Sequence, residues 1–250
     1  MRALLTGATS GIGEALAYLL SSKGVALTLT GRDPNRLEQI AQKVKAESLA
    51  VDLKDPKQRG ELVHLLRTKP FDLLINNAGF GLYGDPLSIE VEDQLAIVEV
   101  DATAPLELTL AAVRTWAALG KRGVVMNVSS VAGEHPCPGM SVYGASKAFL
   151  TSLSNALNME LSSLGIAVLV SCPGMVETNF ASRAAKKEIR EKGGARMTPQ
   201  YVAEQIWEQI QKREEKRIVN WQYRIGSILA KYLPRSLVQK MIWNRIKQRI

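Results

Sequence analysis

Residues 1–13, MRALLTGATSGIG, decide how this chain folds. The apolar run Ala3–Leu5 gives way at once to TGATSGIG (Thr6–Gly13), and a helix-patterned segment, Ile12–Ser22, follows. A strand that turns through glycine into a helix opens a βαβ unit. Gly7, Gly11 and Gly13 can turn the chain sharply and let backbone N–H groups approach a pyrophosphate at the helix N-terminus. Thr9, Ser10 and Ile12 complete this candidate phosphate loop. Its G-x-x-x-G-x-G spacing departs from the general G-x-G-x-x-G fingerprint, and alone it also fits a glycine-rich surface turn.

The alternation continues outward from the loop. Ala26–Thr30, Ser48–Val51, Leu73–Ile75, Val124–Val128 and Ile166–Ser171 read as strands. Pro34–Lys45, Pro56–Thr68 and Tyr143–Leu164 are among the helical stretches between them. Runs such as IAVLVSC (166–172) are apolar on both faces, as strands of a buried parallel sheet are. After Pro173 the pattern changes. KKEIREKGG (186–194) suggests a mobile loop; a helix is expected over Pro199–Arg213 and a short strand near Arg217–Val219. Two amphipathic segments separated by Pro234 close the sequence. The reading is one α/β domain, residues 1–220, with a basic amphipathic helical tail, 221–250.

Composition narrows the function classes. Of the 250 residues 46% are apolar and 22% charged, which disfavours disorder and fibrous repeats. No apolar run approaches the roughly 20 residues that cross a bilayer. The first residues lack the long apolar core and small-residue cleavage site of a secretion signal. Two cysteines, Cys137 and Cys172, build no disulfide framework, so a cytoplasmic location is expected. With only His64 and His135, a His-based metal site or a Ser-His-Asp triad has few candidates, and no metal is expected. The net charge of +8 is concentrated at one end. Residues 216–250 hold nine basic side chains and no acid, leaving residues 1–215 at −1.

Two further places carry chemistry. The second strand runs into Gly31, Arg32 and Asp33, where dinucleotide sites usually place the residue that meets the adenosine ribose. Arg32 offers a permanently charged fork suited to a 2′-phosphate, favouring NADP, although Asp33 is placed to reach a 2′-hydroxyl. Tyr143 and Lys147, in YGASK, lie one helical turn apart on one face, and Ser130 ends a strand thirteen residues before the tyrosine. Reducing a ketone requires hydride at carbon and a proton donor at oxygen. Free tyrosine, with a pKa of about 10, is a poor donor and acceptor at neutral pH. An ammonium at ~4 Å favours phenolate by about 4 kcal/mol at an effective dielectric of ~20, an upper range near three pKa units.

Together these motifs resemble the short-chain dehydrogenase/reductase family, in its NADP-preferring form with TGxxxGIG and YxxxK. The match runs through most of residues 1–180: TGATSGIG, Asp52 after the third strand, NNAG (Asn76–Gly79), Ser130, YGASK and PGMVET (Pro173–Thr178). The resemblance implies a doubly wound Rossmann-type parallel sheet of about seven strands in the order 3-2-1-4-5-6-7. It implies an oxidoreductase that transfers hydride between NADP(H) and a carbonyl or alcohol. In it Ser130, Tyr143 and Lys147 are catalytic, and Tyr143 and Lys147 also meet the cofactor, Lys147 through the nicotinamide ribose. Asn76 with the Ala78 and Gly79 backbone would line the adenosine side, and Asp52 would contact the adenine. Pro173 and Gly174 would open the segment in which Val176 and Thr178 hold the carboxamide. Relatives pair through the helix carrying YxxxK, which implies a homodimer or homotetramer.

One departure stands out. The family has an asparagine, the fourth catalytic member, where VEVDATAP places Asp101. A carboxylate accepts from a relay water but donates only when protonated. Asp101 is retained as a candidate site residue, with a structural helix position as its alternative.

The tail and the substrate are less determined. Trp221, Ile225, Ile228, Leu229, Tyr232 and Leu233 recur at three- and four-residue steps with Arg224 and Lys231 on the flank, and Leu237, Met241, Ile242 and Ile246 continue a looser pattern. An anionic membrane surface, a cover for the pocket and a subunit interface are all open; nucleic acid is not expected. Between Ser130 and Tyr143, Cys137, Pro138, Met140 and His135 are candidate substrate contacts, which together with the tail favours a hydrophobic or lipid-like ketone. An NADP-binding regulator or scaffold acting through the tail is the rival reading, and an extended-fold epimerase a weaker one.

Overall fold

The structure is a computed structural model that describes residues 1–185 and 195–234, together with positions 237, 238, 240 and 243. KKEIREKGG, and Met241, Ile242 and Ile246 of the second amphipathic segment, lie outside the described residues.

Seven strands form one parallel sheet: β1 (Arg2–Leu5), β2 (Ala26–Gly31), β3 (Glu47–Ala50), β4 (Leu73–Asn76), β5 (Gly123–Val128), β6 (Ile166–Cys172) and β7 (Lys216–Ile218). Their order is β3-β2-β1-β4-β5-β6-β7, as the resemblance implied. The central strands are buried on both faces, and the strand period of two divides their side chains between two cores. Leu5, Ile75, Met126 and Leu169 point to one face. They meet α1 (Gly11–Ser22), α2 (Pro34–Val44) and α8 (Pro199–Lys212) through Leu16, Leu20, Leu37, Ile40, Val202 and Ile206. Leu4, Leu74, Val125 and Val168 point to the other face, against α3 (Pro56–Thr68) and α5 (Ala104–Ala118) through Leu62, Leu66, Leu108 and Trp116.

Three helix starts follow from short local signals. Asp33, Asp55 and Thr198 each precede a proline, and each accepts a backbone N–H of the first turn, from Arg36 at 3.0 Å, Lys57 at 2.8 Å and Tyr201 at 3.2 Å. Between α4 (Val91–Val98) and α5 the backbone widens into a π-helical turn, Glu99–Thr103, that contains Asp101. Pro105 accounts for it: proline has no N–H for the Asp101 carbonyl, and its ring would crowd that oxygen. Buried Arg59 holds the turn in place through Glu99 at 2.8 Å and Glu107 at 2.9 Å. Past β6 the chain forms a short helix, α7 (Phe180–Ala184), ahead of KKEIREKGG. The first amphipathic segment is α9 (Trp221–Tyr232), which follows α8 and β7. Chain order reverses between β1 and β4, and a crevice opens there at the carboxyl ends of the strands.

Leu74 is fully buried in the central strand β4. Leu74→Ala is expected to cost about 2–5 kcal/mol, read as a lower urea midpoint with an unchanged slope.

Candidate active site

A cavity of about 350 Å³ occupies that crevice. Its first wall is the glycine loop, including Gly7, Thr9, Ser10, Gly11 and Ile12. Gly7 has φ +69°, and a Cβ there would fall 2.7 Å from the Ala78 Cα. The loop is tied to the end of β4: the Thr6 hydroxyl accepts the Asn77 and Ala78 N–H groups at 3.0 and 3.1 Å, and the Asn77 amide donates to the Thr6 and Gly7 carbonyls at 3.0 and 3.2 Å. Gly13 does not line the cavity; it lies directly behind, against the Gly7 carbonyl.

Arg32 and Asp52 line the far end. Among the described residues no carboxylate pairs with Arg32, whereas Asp33 is committed to capping α2 and is absent from the cavity wall. Ala78 and Gly79 line the cavity too, but Asn76 does not, which corrects that expectation. As the last residue of β4, Asn76 turns its amide into the core, donating to Asn127 Oδ1 at 2.8 Å and Thr109 Oγ1 at 3.1 Å. The adjacent asparagine, Asn77, borders the cavity in its stead.

Ser130, Tyr143 and Lys147 meet at the other end of the cavity. Ser130 caps a single helical turn after β5, its Oγ accepting the Ala132 N–H at 3.1 Å, which leaves its proton directed elsewhere. Tyr143 and Lys147 stand on α6 (Ser141–Leu161), the ammonium 5.7 Å from the phenol ring centre. Lys147 is 3% exposed and Asp101 0%. Lys147 Nζ sits 3.1 Å from Asp101 Oδ1 and donates to the Val128 carbonyl at 3.1 Å. Asp101 Oδ2 accepts the Phe80 N–H at 3.3 Å. Asp101 therefore lies behind the wall and reaches the site through the lysine.

The electrostatics follow from burial and these three charges. Burial raises the Tyr143 pKa; Lys147 pulls it down, Asp101 pushes it up, and a hydrogen bond with Ser130 lowers it, with a net rise. Burial works against the Lys147 ammonium, but Asp101 and Tyr143 outweigh that penalty and hold its pKa above the ordinary lysine value. Burial lifts the Asp101 carboxyl, and the charge and hydrogen bond of Lys147 offset only part of it. Cys172 is no candidate nucleophile, since burial pushes its thiol up to about 12.

Pro173, Gly174, Val176 and Thr178 form the third wall. Their segment is held from outside: Val176 bridges to Met197, and the Tyr223 hydroxyl accepts the Met175 N–H at 3.2 Å. Several lining residues were not anticipated. Phe80, Tyr83 and Phe180 join Cys137 and Met140 around Tyr143, with the Phe180 and Tyr143 rings 5.4 Å apart, so this end is apolar. Pro138 and His135 do not reach the cavity. Arg183 lines it and donates to Ser10 Oγ at 3.3 Å, adding a cation beside the phosphate loop. Nothing in the sequence around Arg183 marked it; α7 brings it to a residue 173 positions earlier.

This arrangement has known counterparts. The family model described as short chain dehydrogenase matches residues 1–189, so the chain belongs to the short-chain dehydrogenase/reductase family. Sulfoacetaldehyde reductase 2 of Chromohalobacter salexigens is 34% identical over 184 residues, spanning 71% of this chain and 73% of that protein. Among solved structures, a short-chain dehydrogenase from Sphingobium yanoikuyae in complex with NADPH has a TM-score of 0.84 at 29% identity, covering 95% of each chain. The bulky-bulky ketone specific alcohol dehydrogenase from Comamonas testosteroni has a TM-score of 0.79 at 28% identity, covering 92% of each chain. The chain is thus an oxidoreductase of a family that includes reductases and alcohol dehydrogenases.

Gly79 leaves no room for a side chain, because a Cβ would collide with Asp101 Oδ1 and stand 3.0 Å from Lys147 Nζ. Gly79→Ala is expected to lose about 1–3 kcal/mol of stability in chemical denaturation, as overpacking does in a filled interior.

Proposed function

We propose that this protein is an NADP-dependent carbonyl reductase acting on a hydrophobic ketone, with Ser130, Tyr143 and Lys147 as its catalytic residues. The observation that carries the reading is the convergence of these three side chains at the apolar end of a cavity that Arg32 also lines, with no carboxylate paired to it among the described residues. The residues fit the dinucleotide: glycine backbone and Arg183 for the pyrophosphate, Asp52 for the adenine, Arg32 for a 2′-phosphate. Asp33, which caps α2 and does not line the cavity, supports the choice of Arg32 as the ribose-side partner. Thr178 and Val176 serve the carboxamide, and Lys147 the nicotinamide ribose. NADPH, when bound, supplies the hydride.

The chain supplies the proton. Ser130, whose hydroxyl hydrogen-bonds Tyr143, turns that hydrogen bond to the substrate oxygen and orients the carbonyl. Tyr143 gives its phenolic proton to the same oxygen as negative charge gathers there. Lys147 stabilises the phenolate left behind, and Asp101 fixes the lysine while weakening its field at the phenol. Asp101 is thus a positioning residue whose charge sets the tyrosine pKa. Phe80, Tyr83, Met140 and Phe180 supply the apolar surface that selects a hydrophobic substrate. Residues 1–220 are the catalytic unit and 221–250 an appended basic tail. A homodimer or homotetramer forms through α6, in keeping with exposed Phe149 and Met159 on that helix. Two unpaired cysteines fit a reducing cytoplasm.

A panel of small and bulky ketones with NADPH and NADH tests the reading. Turnover should favour NADPH and bulky apolar ketones, and Tyr143→Phe should lower it about 10²–10⁴-fold with NADPH affinity retained. A rate untouched by that substitution removes the mechanism. Asp101→Asn deletes a negative charge that raises the Tyr143 pKa, so it should lower that pKa. Alcohol oxidation, which requires phenolate, should then reach its plateau at lower pH, and ketone reduction should begin to fall at lower pH. Turnover near neutrality should be retained or raised; a pH profile that does not move separates a purely structural Asp101 from this role.

A further inference from the structure

The outer face of α9 is a surface that carbonyl reduction does not use. At the helical step, Trp221, Ile225, Ile228, Leu229 and Tyr232 fall within one arc of about 100°. All five are exposed, Trp221 by 67% and Tyr232 by 84%. The opposite side of the helix is the one that meets the body. Ser227 is buried, Tyr223 and Ala230 are half-buried, and Tyr223 lays its ring over Gly174 and accepts the Met175 N–H. A helix that served only to cover the cavity would turn its apolar stripe inward. This one is docked the other way round.

Charge says what the stripe meets. Lys216 and Arg217 are spent on Glu134, Glu208 and Glu214 of the body. Residues 221–250 carry seven further basic side chains and no acid. A second copy laid on the same stripe would set two tails of like charge against each other. Trp221 and Tyr232 stand at the two ends of the stripe, and amphipathic aromatics of this kind anchor at the boundary between headgroup and acyl chain. At 12 residues α9 is about 18 Å long, and no helix among the described residues is long and apolar enough to cross a membrane. A helix of this build lies in the plane of the surface. We propose that α9 docks the protein onto an anionic lipid surface, with Trp221, Ile225, Ile228, Leu229 and Tyr232 buried at the interface and the basic charge of residues 221–250 supplying the attraction to the headgroups.

The test is co-sedimentation of the full chain with vesicles of phosphatidylcholine alone, or of equal parts phosphatidylcholine and phosphatidylglycerol. Binding should be at least about tenfold tighter to the anionic vesicles and should weaken as salt rises. Ile225→Glu combined with Ile228→Glu should lower it about tenfold or more with an unchanged melting temperature, since both positions are exposed. If that variant melts early, Trp221→Ser with Tyr232→Ser provides the same reading. Equal binding to both vesicles, no binding at low salt, or full binding by a folded variant overturns the proposal. So does a sedimentation mass that falls to one chain in the variant when the parent binds no vesicles, because the stripe is then a subunit contact. Neither vesicle binding nor mass depends on the reductase reading, which can fail separately.

Discussion

The site rests on one buried ion pair. Lys147 and Asp101 are withdrawn from water, and taking two charges into the interior is favourable only when geometry and hydrogen bonds compensate the lost hydration. The compensation is specific here. Lysine has the Val128 carbonyl as a second acceptor, and the carboxylate has the Phe80 N–H as a second donor. Each of these partners comes from a different element: the end of β5, the segment after β4, the π-helical turn and α6. The pair therefore ties the four elements around the phenol to one geometry, and Gly79 leaves the space in which the two charges meet.

That geometry has an electrostatic consequence for the tyrosine. An isolated ammonium near Tyr143 would favour phenolate strongly. Asp101, closer to the lysine than the tyrosine is, gives the ammonium a compensating charge and leaves the phenol with a smaller field. Contact between the two charges decides the sign. The widened turn at Glu99–Thr103 brings the carboxylate there, and Arg59 fixes that turn through two acidic neighbours.

The two ends of the cavity were legible to different degrees. The glycine loop, Ser130, Tyr143 and Lys147 announce themselves because each lies at a strand end or on one helical face, where local spacing fixes position. The difference between Arg32 and Asp33 could not be read from their adjacency; the structure has Arg32 on the cavity wall and Asp33 off it, capping α2. Asn76 and Asn77 are also adjacent, and alternation along a strand sends one inward and one toward the loop, so a one-residue ambiguity became a change of face. Phe80, Tyr83, Phe180 and Arg183 left no signal, because their segments have no periodicity and reach the cavity only through packing on α6 and the glycine loop.

What the sequence determined by itself was the set of local constraints. Strands apolar on both faces, alternating with helix-length segments, and glycine at the first turn pointed to βαβ units and a parallel sheet, and the family resemblance of the motifs supplied its doubly wound order. Tertiary structure alone decided which way side chains of equal promise would point. The outward apolar stripe of α9, the inward turn of Asn76 and the burial of Asp101 against Lys147 each depend on what a distant segment offers at that point in space. Spacing along a chain fixes which residues share a face, but the neighbour that face meets is set by packing across long sequence separations.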